Sequence, residues 1–272
     1  SGANATELVF GTTTNGAATD KMRITSDGKV GIGTDETIDS TLHVQASEGT
    51  AFDSSDAGLQ FGLGATLAIK NNSAAANSFA QLVFRQRPST QCGARIVSAT
   101  ASANTADLNL IVEDGNTMVK AIQIDPSGEV IMAKQPAFQV IGTNQTDFAE
   151  NTAVTVAWDD TDRFDQGSNF LNDAFTAPVT GKYQFNIKLY LKSLESAYNY
   201  YELSFLTHNK NYYSIFDPGG SGDPAYWTLQ DSVLADMDAG DTAVVKIQAG
   251  GTGGGAAHDI DAHSIWSGFL VC

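Results

Sequence analysis

Residues 163–185 read RFDQGSNFLNDAFTAPVTGKYQF. Pro178 fixes its own φ and pushes Ala177 toward an extended backbone, and Gly181 supplies the freedom for a tight corner. Beyond that corner Tyr183, Phe185, Ile187, Leu189 and Leu191 fall on one face of an extended chain. Lys182, Gln184, Asn186, Lys188 and Lys192 fall on the other, and Tyr190 is the one break in that polar face. A period of two sustained for ten residues predicts a half-buried antiparallel strand.

The run from Phe175 to Phe185, with its FxAPxxGxYxF pattern, resembles the globular head shared by the complement q subcomponent and the tumour necrosis factor superfamily. Three further segments extend the resemblance in order and spacing: Pro136-Ala-Phe138-Gln-Val140 as a first strand, Arg163 to Phe170 as an FD-x-G-x-x-F approach, and Ser267-Gly-Phe269-Leu-Val271 as a last strand. The resemblance implies a ten-stranded jelly roll over 136–272 and a homotrimer, but no particular ligand. It also implies a subunit interface built from aromatic residues of the central strands; Tyr201, Phe205, Phe185 and Phe269 fall to that role. Heads of this kind sometimes carry calcium near the trimer apex.

Working outward, strands are expected near 136–143, 152–158, 175–176, 181–192, 198–206, 211–216, 226–234, 242–249 and 264–271. The turns between them carry Asp-Pro-Gly-Gly, Asp-Ala-Gly-Asp and a Gly-rich run, all strong loop signals. Residues 159–165, with Asp159, Asp160, Asp162 and Asp165, read as a connecting segment of solvated acids.

The first half is also β-patterned. Met22-Arg-Ile24, a Ser26-Asp-Gly28 turn and Val30-Gly-Ile32 make a hairpin, with Glu7–Phe10 and Leu42–Val44 as flanking strands. The Gly alternation leaves one face without bulk, which suits close approach of chains around an axis. The pattern Met22-x-Ile24…Gly28-x-Val30 recurs as Ile122-x-Ile124…Gly128-x-Val130, at an offset of 100 that also sets Leu8 and Phe10 on Leu108 and Leu110. A repeat that cannot bury its own apolar edge needs a neighbour. The wording MRIT-SDG-KVGIGT over 22–34 resembles segments that recur in bacteriophage tail-fibre shafts; a Gly-rich hairpin of any β protein is the alternative. Between the copies, Leu59–Ile69 and Phe79–Phe84 alternate, and Arg85, Arg87 and Arg95 form a basic cluster that reads as a solvated strand edge. The expected organisation is a hairpin repeat over 1–45, a β-rich shaft or intermediate module over 46–135, and the head over 136–272. The fold class is all-β, the shaft modules and head being intertwined or packed as a homotrimer.

The 272 residues carry a formal net charge of −16, and 136–272 alone hold 17 acidic against 6 basic side chains. That balance argues against a nucleic-acid backbone or an anionic bilayer as partner. No apolar run is long enough to span a membrane and no signal-peptide pattern opens the chain. Cys92 and Cys272 lack metal-ligand spacing and read as free thiols. The opening Ser-Gly-Ala-Asn reads as a cut from a longer chain, so upstream fibre segments are expected.

Little of the sequence suggests catalysis. His43, His208, His258 and His263 lie in no nucleophile context, and no phosphate-cradling Gly loop is present, so the chain is read as no enzyme. Two constellations suit binding. His258, Asp259, Asp261 and His263 offer two imidazoles and two carboxylates within six residues. They could hold calcium or a transition metal at a trimer apex, with Asp238 and Asp241 as other oxygen donors; the competing reading is a polar loop whose Ile260 tucks inward. The second constellation is aromatic: Tyr212, Tyr213, Tyr226 and Trp227, with Asn209 and Asn211, could stack on a sugar while amides read its hydroxyls. The combined reading is a trimeric, extracellular tail-fibre tip of a virion that attaches to a host glycan or outer-membrane protein by multivalent contact. A structural segment whose head registers the trimer, a polysaccharide-degrading spike and a secreted complement-q-like lectin are the alternatives.

Overall fold

The computed structural model describes residues 6–14, 16–33, 37–51, 64–73, 75–86, 93–102, 105–220, 222–252 and 258–272, apart from the side chains of 14, 17, 18 and 160–163. Leu59–Leu63, Arg87 and Cys92 lie outside them. Every regular element among the described residues is a β-strand. The chain divides into two compact units, Ser1–Leu82 and Val83–Cys272, so the boundaries expected at 45 and 135 both fall inside a unit. Residues 64–69 form no strand; Gly64 at φ 68° breaks the expected alternation, because that backbone is not extended.

The first unit holds a sheet of β1 (Leu8–Thr14), β2 (Ala17–Ile24), β3 (Val30–Ile32) and β4 (Leu42–Val44), in that order. Strands β1 to β3 are antiparallel, and β4 joins β3 in parallel. A second sheet is a meander of β5 (Phe79–Arg85), β6 (Gly93–Ser102), β7 (Thr105–Asp114), β8 (Thr117–Ile124) and β9 (Val130–Ile131).

These sheets contain the repeat. Leu8 pairs with Ile24 and Phe10 with Met22, then the register slips between Phe10 and Gly11. Leu108 pairs with Ile124 and Leu110 with Ile122, then the register slips between Leu110 and Ile111. The hairpin turns match too. Gly28 N–H donates to Thr25 C=O at 2.9 Å and Gly128 N–H to Asp125 C=O at 3.0 Å, with φ of 85° and 98° at the two glycines. A position requiring φ > 0 explains why Gly recurs there.

The remaining strands are β10 (Ala137–Gly142), β11 (Val154–Thr155), β12 (Trp158–Gln166), β13 (Phe170–Leu171), β14 (Ala174–Thr176), β15 (Gly181–Lys192), β16 (Tyr200–Thr207), β17 (Asn211–Phe216), β18 (Tyr226–Met237), β19 (Thr242–Gly250), β20 (Asp259–Ile260) and β21 (Ile265–Leu270). They form two six-stranded antiparallel sheets, β12-β10-β21-β15-β18 with β20 on β15, and β13-β14-β19-β16-β17 with β11 on β19. Chain neighbours repeatedly lie in opposite sheets, as in a jelly roll. Residues 159–165, expected to connect strands, belong to β12, an edge strand paired with β10.

The quoted stretch closes one end of the sandwich. Ala177 N–H donates to Asp241 C=O and Gly240 N–H to Ala177 C=O, both at 2.8 Å, and the Tyr183 hydroxyl donates to Val179 C=O at 2.7 Å. Asp165 accepts from the backbone N–H of Asn169 at 3.0 Å and of Phe170 at 2.9 Å, folding the FDQGSNF approach back on itself. Phe138 stacks on Phe170 and Phe175 at 5.1 and 5.0 Å and meets Trp266 edge-on at 5.2 Å. Each such ring contributes about 1.5–3 kcal/mol by burial. Gly268 is required by this packing: a Cβ there would lie 2.6 Å from Phe185 Cδ1 and 2.8 Å from Phe138 Cε1.

The same alternation overturns part of the expected interface. Phe185, Tyr201 and Phe205 are fully buried, because period two turns them toward the facing sheet, and they cannot reach another copy. Phe269 points outward and stays exposed.

Candidate functional site

Along β15, the outward row ends in Lys188, Tyr190 and Lys192. Register brings Tyr226 of β18 opposite Lys192, and the turn 261–264 brings His263 alongside. The Tyr190 ring lies 5.9 Å from that of Tyr226 and 5.9 Å from that of His263, so three rings gather at one end of the outer sheet face.

The backbone holds this group in place. Asp261 N–H donates to Tyr190 C=O at 2.9 Å, Ser264 N–H to Asp261 C=O at 2.9 Å and Gly142 N–H to Ser264 C=O at 2.8 Å. Tyr190 N–H donates back to Ser264 Oγ at 2.9 Å. Gly142 permits the approach, since a Cβ there would sit 2.9 Å from Ser264 Cβ.

Asp261 is the electrostatic centre. One carboxylate oxygen accepts from the His263 backbone N–H at 2.9 Å and contacts its Nδ1; the other pairs with the Lys192 ammonium. The Lys192 ammonium, followed by the His263 N–H, holds the Asp261 carboxyl far below the usual carboxylate range, and Asp261 in turn raises the Lys192 ammonium. The Asp261 carboxylate engages the Nδ1 side of the ring and orients it. The His263 side chain is 82% exposed. The arrangement sets the rings of Tyr226 and His263, tilted 43° and 53° to that of Tyr190, beside a cation and two phenol hydroxyls, groups that can stack on an apolar ring face and read hydroxyls.

The four residues expected to bind a metal are dispersed. His258 is completely buried, edge-on to Phe148 at 4.1 Å, Tyr198 at 5.2 Å and Tyr201 at 5.7 Å. Neither of its ring nitrogens has a hydrogen-bond partner among the described residues. Asp259 accepts from Asp147 N–H at 3.2 Å and Ser193 Oγ at 3.4 Å. Asp261 and His263 bond each other and Lys192. Alternation along β20 sends His258 and Ile260 inward, away from His263. Asp241 accepts from Asp238 N–H at 2.9 Å and so closes its own turn. Among the described residues no group of three or more His, Cys, Asp or Glu is placed to hold an ion.

The six residues expected to contact a receptor do not form one surface. Tyr212 faces inward against the core, beneath the Lys210 ammonium, 5.3 Å from its ring centre. Tyr213 lies on the opposite face of β17. Trp227 stacks on Phe216 at 4.6 Å, which stacks on Tyr201 at 5.3 Å. Asn209 donates to Asp236 C=O at 3.0 Å, and Asn211 sits in the β16–β17 ladder opposite Leu206. Only Tyr226 joins the cluster. Tyr190 and Lys192 were missed as site residues; the signal was Tyr190 interrupting an otherwise polar strand face.

No protein-family model matches the chain, and no curated protein matches it. Among solved structures it is similar to the globular domain of a zebrafish complement 1qA protein, at 18% identity and a TM-score of 0.38, over 51% of this chain and 98% of that one. It is similar to murine APRIL at 18% identity and a TM-score of 0.36, over 50% of this chain and 98% of that one. A second crystal structure of murine APRIL gives 14% identity and a TM-score of 0.37, over 51% and 100%.

Proposed function

We propose that the chain is a homotrimeric recognition module whose jelly-roll head attaches to a surface glycan, in the manner of a complement-q-like lectin. The observation that carries the reading is the Tyr190–Tyr226–His263 group, with the Asp261–Lys192 pair beside it. A pre-ordered platform binds a sugar face without ordering loops first. Each site is weak alone, and three on one particle gain avidity.

Two apolar patches support the trimer. Leu234 and Phe269 are exposed on the outer face of one sheet; Tyr213 and Ile215 are exposed on the edge strand of the other. Different patches on one molecule favour head-to-tail association, which closes into a ring when the rotation between subunits is a whole fraction of a turn, a third for a trimer.

A second reading, a viral fibre tip that attaches to a host polysaccharide or outer-membrane protein, is favoured by the shaft-like hairpin and its copy at an offset of 100 residues, with matched register. Light scattering on the full chain, paired with binding to immobilised polysaccharides by wild type and Tyr226→Ala, tests both. A trimer whose glycan binding falls at least tenfold in the variant is expected. A monomer, or binding indifferent to Tyr226, overturns the reading; blocking of virus adsorption by the purified chain would select the fibre tip over the lectin.

A further inference from the structure

Three lysines stand on the outer face of β15, and two of them are neutralised: Lys182 pairs with Asp236 at 3.4 Å, and Lys192 pairs with Asp261. Lys188, between them, makes no ion pair among the described residues. Its neighbours on that face are uncharged: Gln230 and Ile265 opposite it across the sheet, Asn186 and Tyr190 two residues away along the strand. With Asn186, Gln230, Ser232, Ile265 and Ser267 it lines an open groove of about 440 Å³, within the range of about 300–1,000 Å³ common to small-ligand sites. Ser232 Oγ accepts from Gln184 Nε2 and donates to Asn186 Oδ1, both at 3.0 Å, which orders the Asn186 amide and leaves its NH₂ free to donate. Asp231 also borders the groove, but its carboxylate accepts from the Ser232 backbone N–H at 2.8 Å. The groove leads into the aromatic group, since Tyr190 lies about 7 Å beyond Lys188 along the strand.

We infer that this groove is a second subsite, built for a carboxylate-bearing sugar next to the one that stacks on Tyr190 and Tyr226. The inference rests on the glycan reading above and names the class of glycan, an oligosaccharide with an acidic sugar of the uronic or sialic type. The Lys188 ammonium pairs with the carboxylate and the Asn186 amide donates to it, both charge-assisted contacts; Gln230 and Ser267 are left to meet hydroxyls. A net charge of −16 repels a dense polyanion, so one ammonium in an uncharged groove fits an isolated carboxylate and not a run of phosphates or sulfates.

The test measures binding of the full chain to three immobilised oligosaccharides, sialyllactose, a hyaluronan tetrasaccharide and trigalacturonate, each beside its carboxyl-reduced form. Wild type should bind at least one of them roughly tenfold more tightly than the reduced form, and Lys188→Gln should bring the two within about twofold. Lys182→Gln removes the same charge from the same row outside the groove and should keep the preference. Lys188 is half-buried, so its variant is compared with wild type by thermal unfolding, and the wild-type preference is itself a test that needs no variant. No preference in wild type, a preference that survives Lys188→Gln, or an equal loss in Lys182→Gln overturns this inference. The glycan reading then still stands if the neutral forms bind and lose that binding in Tyr226→Ala. Binding to none of these sugars and to none of the immobilised polysaccharides overturns both.

Discussion

The imidazole of His258 stands edge-on to the ring of Phe148, 4.1 Å between centres and 69° between planes. With Tyr198 and Tyr201 the ring of Phe148 completes an aromatic cage around the imidazole. Burial there lowers the His258 pKa, against weaker opposing pulls from Glu195, the Phe148 backbone, Asp259 and Glu150. A depressed histidine is neutral in both states above its unfolded value of about 6.5. Below that value the unfolded chain takes up a proton that the folded head refuses, so stability falls with acid, by at most about 1.4 kcal/mol per pH unit. Thermal unfolding of the full chain between pH 7.5 and 5.5 should show a steeper loss in wild type than in His258→Phe. Equal slopes would mean the cage admits a proton.

Removing the ring at Phe138 takes the centre out of the stack formed with Phe170, Phe175 and Trp266. Phe138→Ala is expected to cost about 3–5 kcal/mol in chemical denaturation. A cost under about 1 kcal/mol would show that the two sheets close over the gap.

Gly268→Ala places a methyl group against Phe185 and Phe138 at distances shorter than van der Waals contact. Overpacking of this kind costs about 1–3 kcal/mol, read as a lowered denaturation midpoint. Pairing it with Phe185→Leu should return part of the loss; no rescue would place the strain in the backbone instead.

Asp261→Asn leaves the Lys192 ammonium unpaired and the His263 ring free to turn. A loss of about 1.5–3 kcal/mol is expected from charge-assisted hydrogen bonds. Because Asp261 has a depressed pKa, its contribution is present above about pH 3.9 and is lost as pH falls through the folded value, so wild type and variant should converge only at strongly acid pH. Glycan binding measured near neutrality should weaken as well.

The pattern after Pro178 was legible because a strand with one buried face alternates strictly, and β15 begins and ends where the alternation does. The repeat was legible through Gly28 and Gly128, whose positive φ few other residues adopt. What escaped is set by pairing across the sheet. Whether Tyr201 faces a subunit or the core, and whether Tyr212 or Tyr226 meets solvent, depends on which sheet lies opposite, and no single strand encodes that. His258 and His263 looked like one ligand set because they are near in sequence; alternation sends one inward and a turn carries the other outward. Tyr190 announced itself as an exception, but its partners come from β18 and the turn before β21, far along the chain.

The chain enters the head at Ala137, opposite Phe269, which in turn pairs with Gln184 near the start of β15. Tyr190 lies six residues farther along the same strand, on the order of 20 Å away at the rise of an extended chain. Ala137 and the Tyr190 ring thus lie toward opposite ends of β15. On the proposed glycan-binding reading, a head held on a sensor chip near Ala137 would turn the Tyr190 cluster away from the surface.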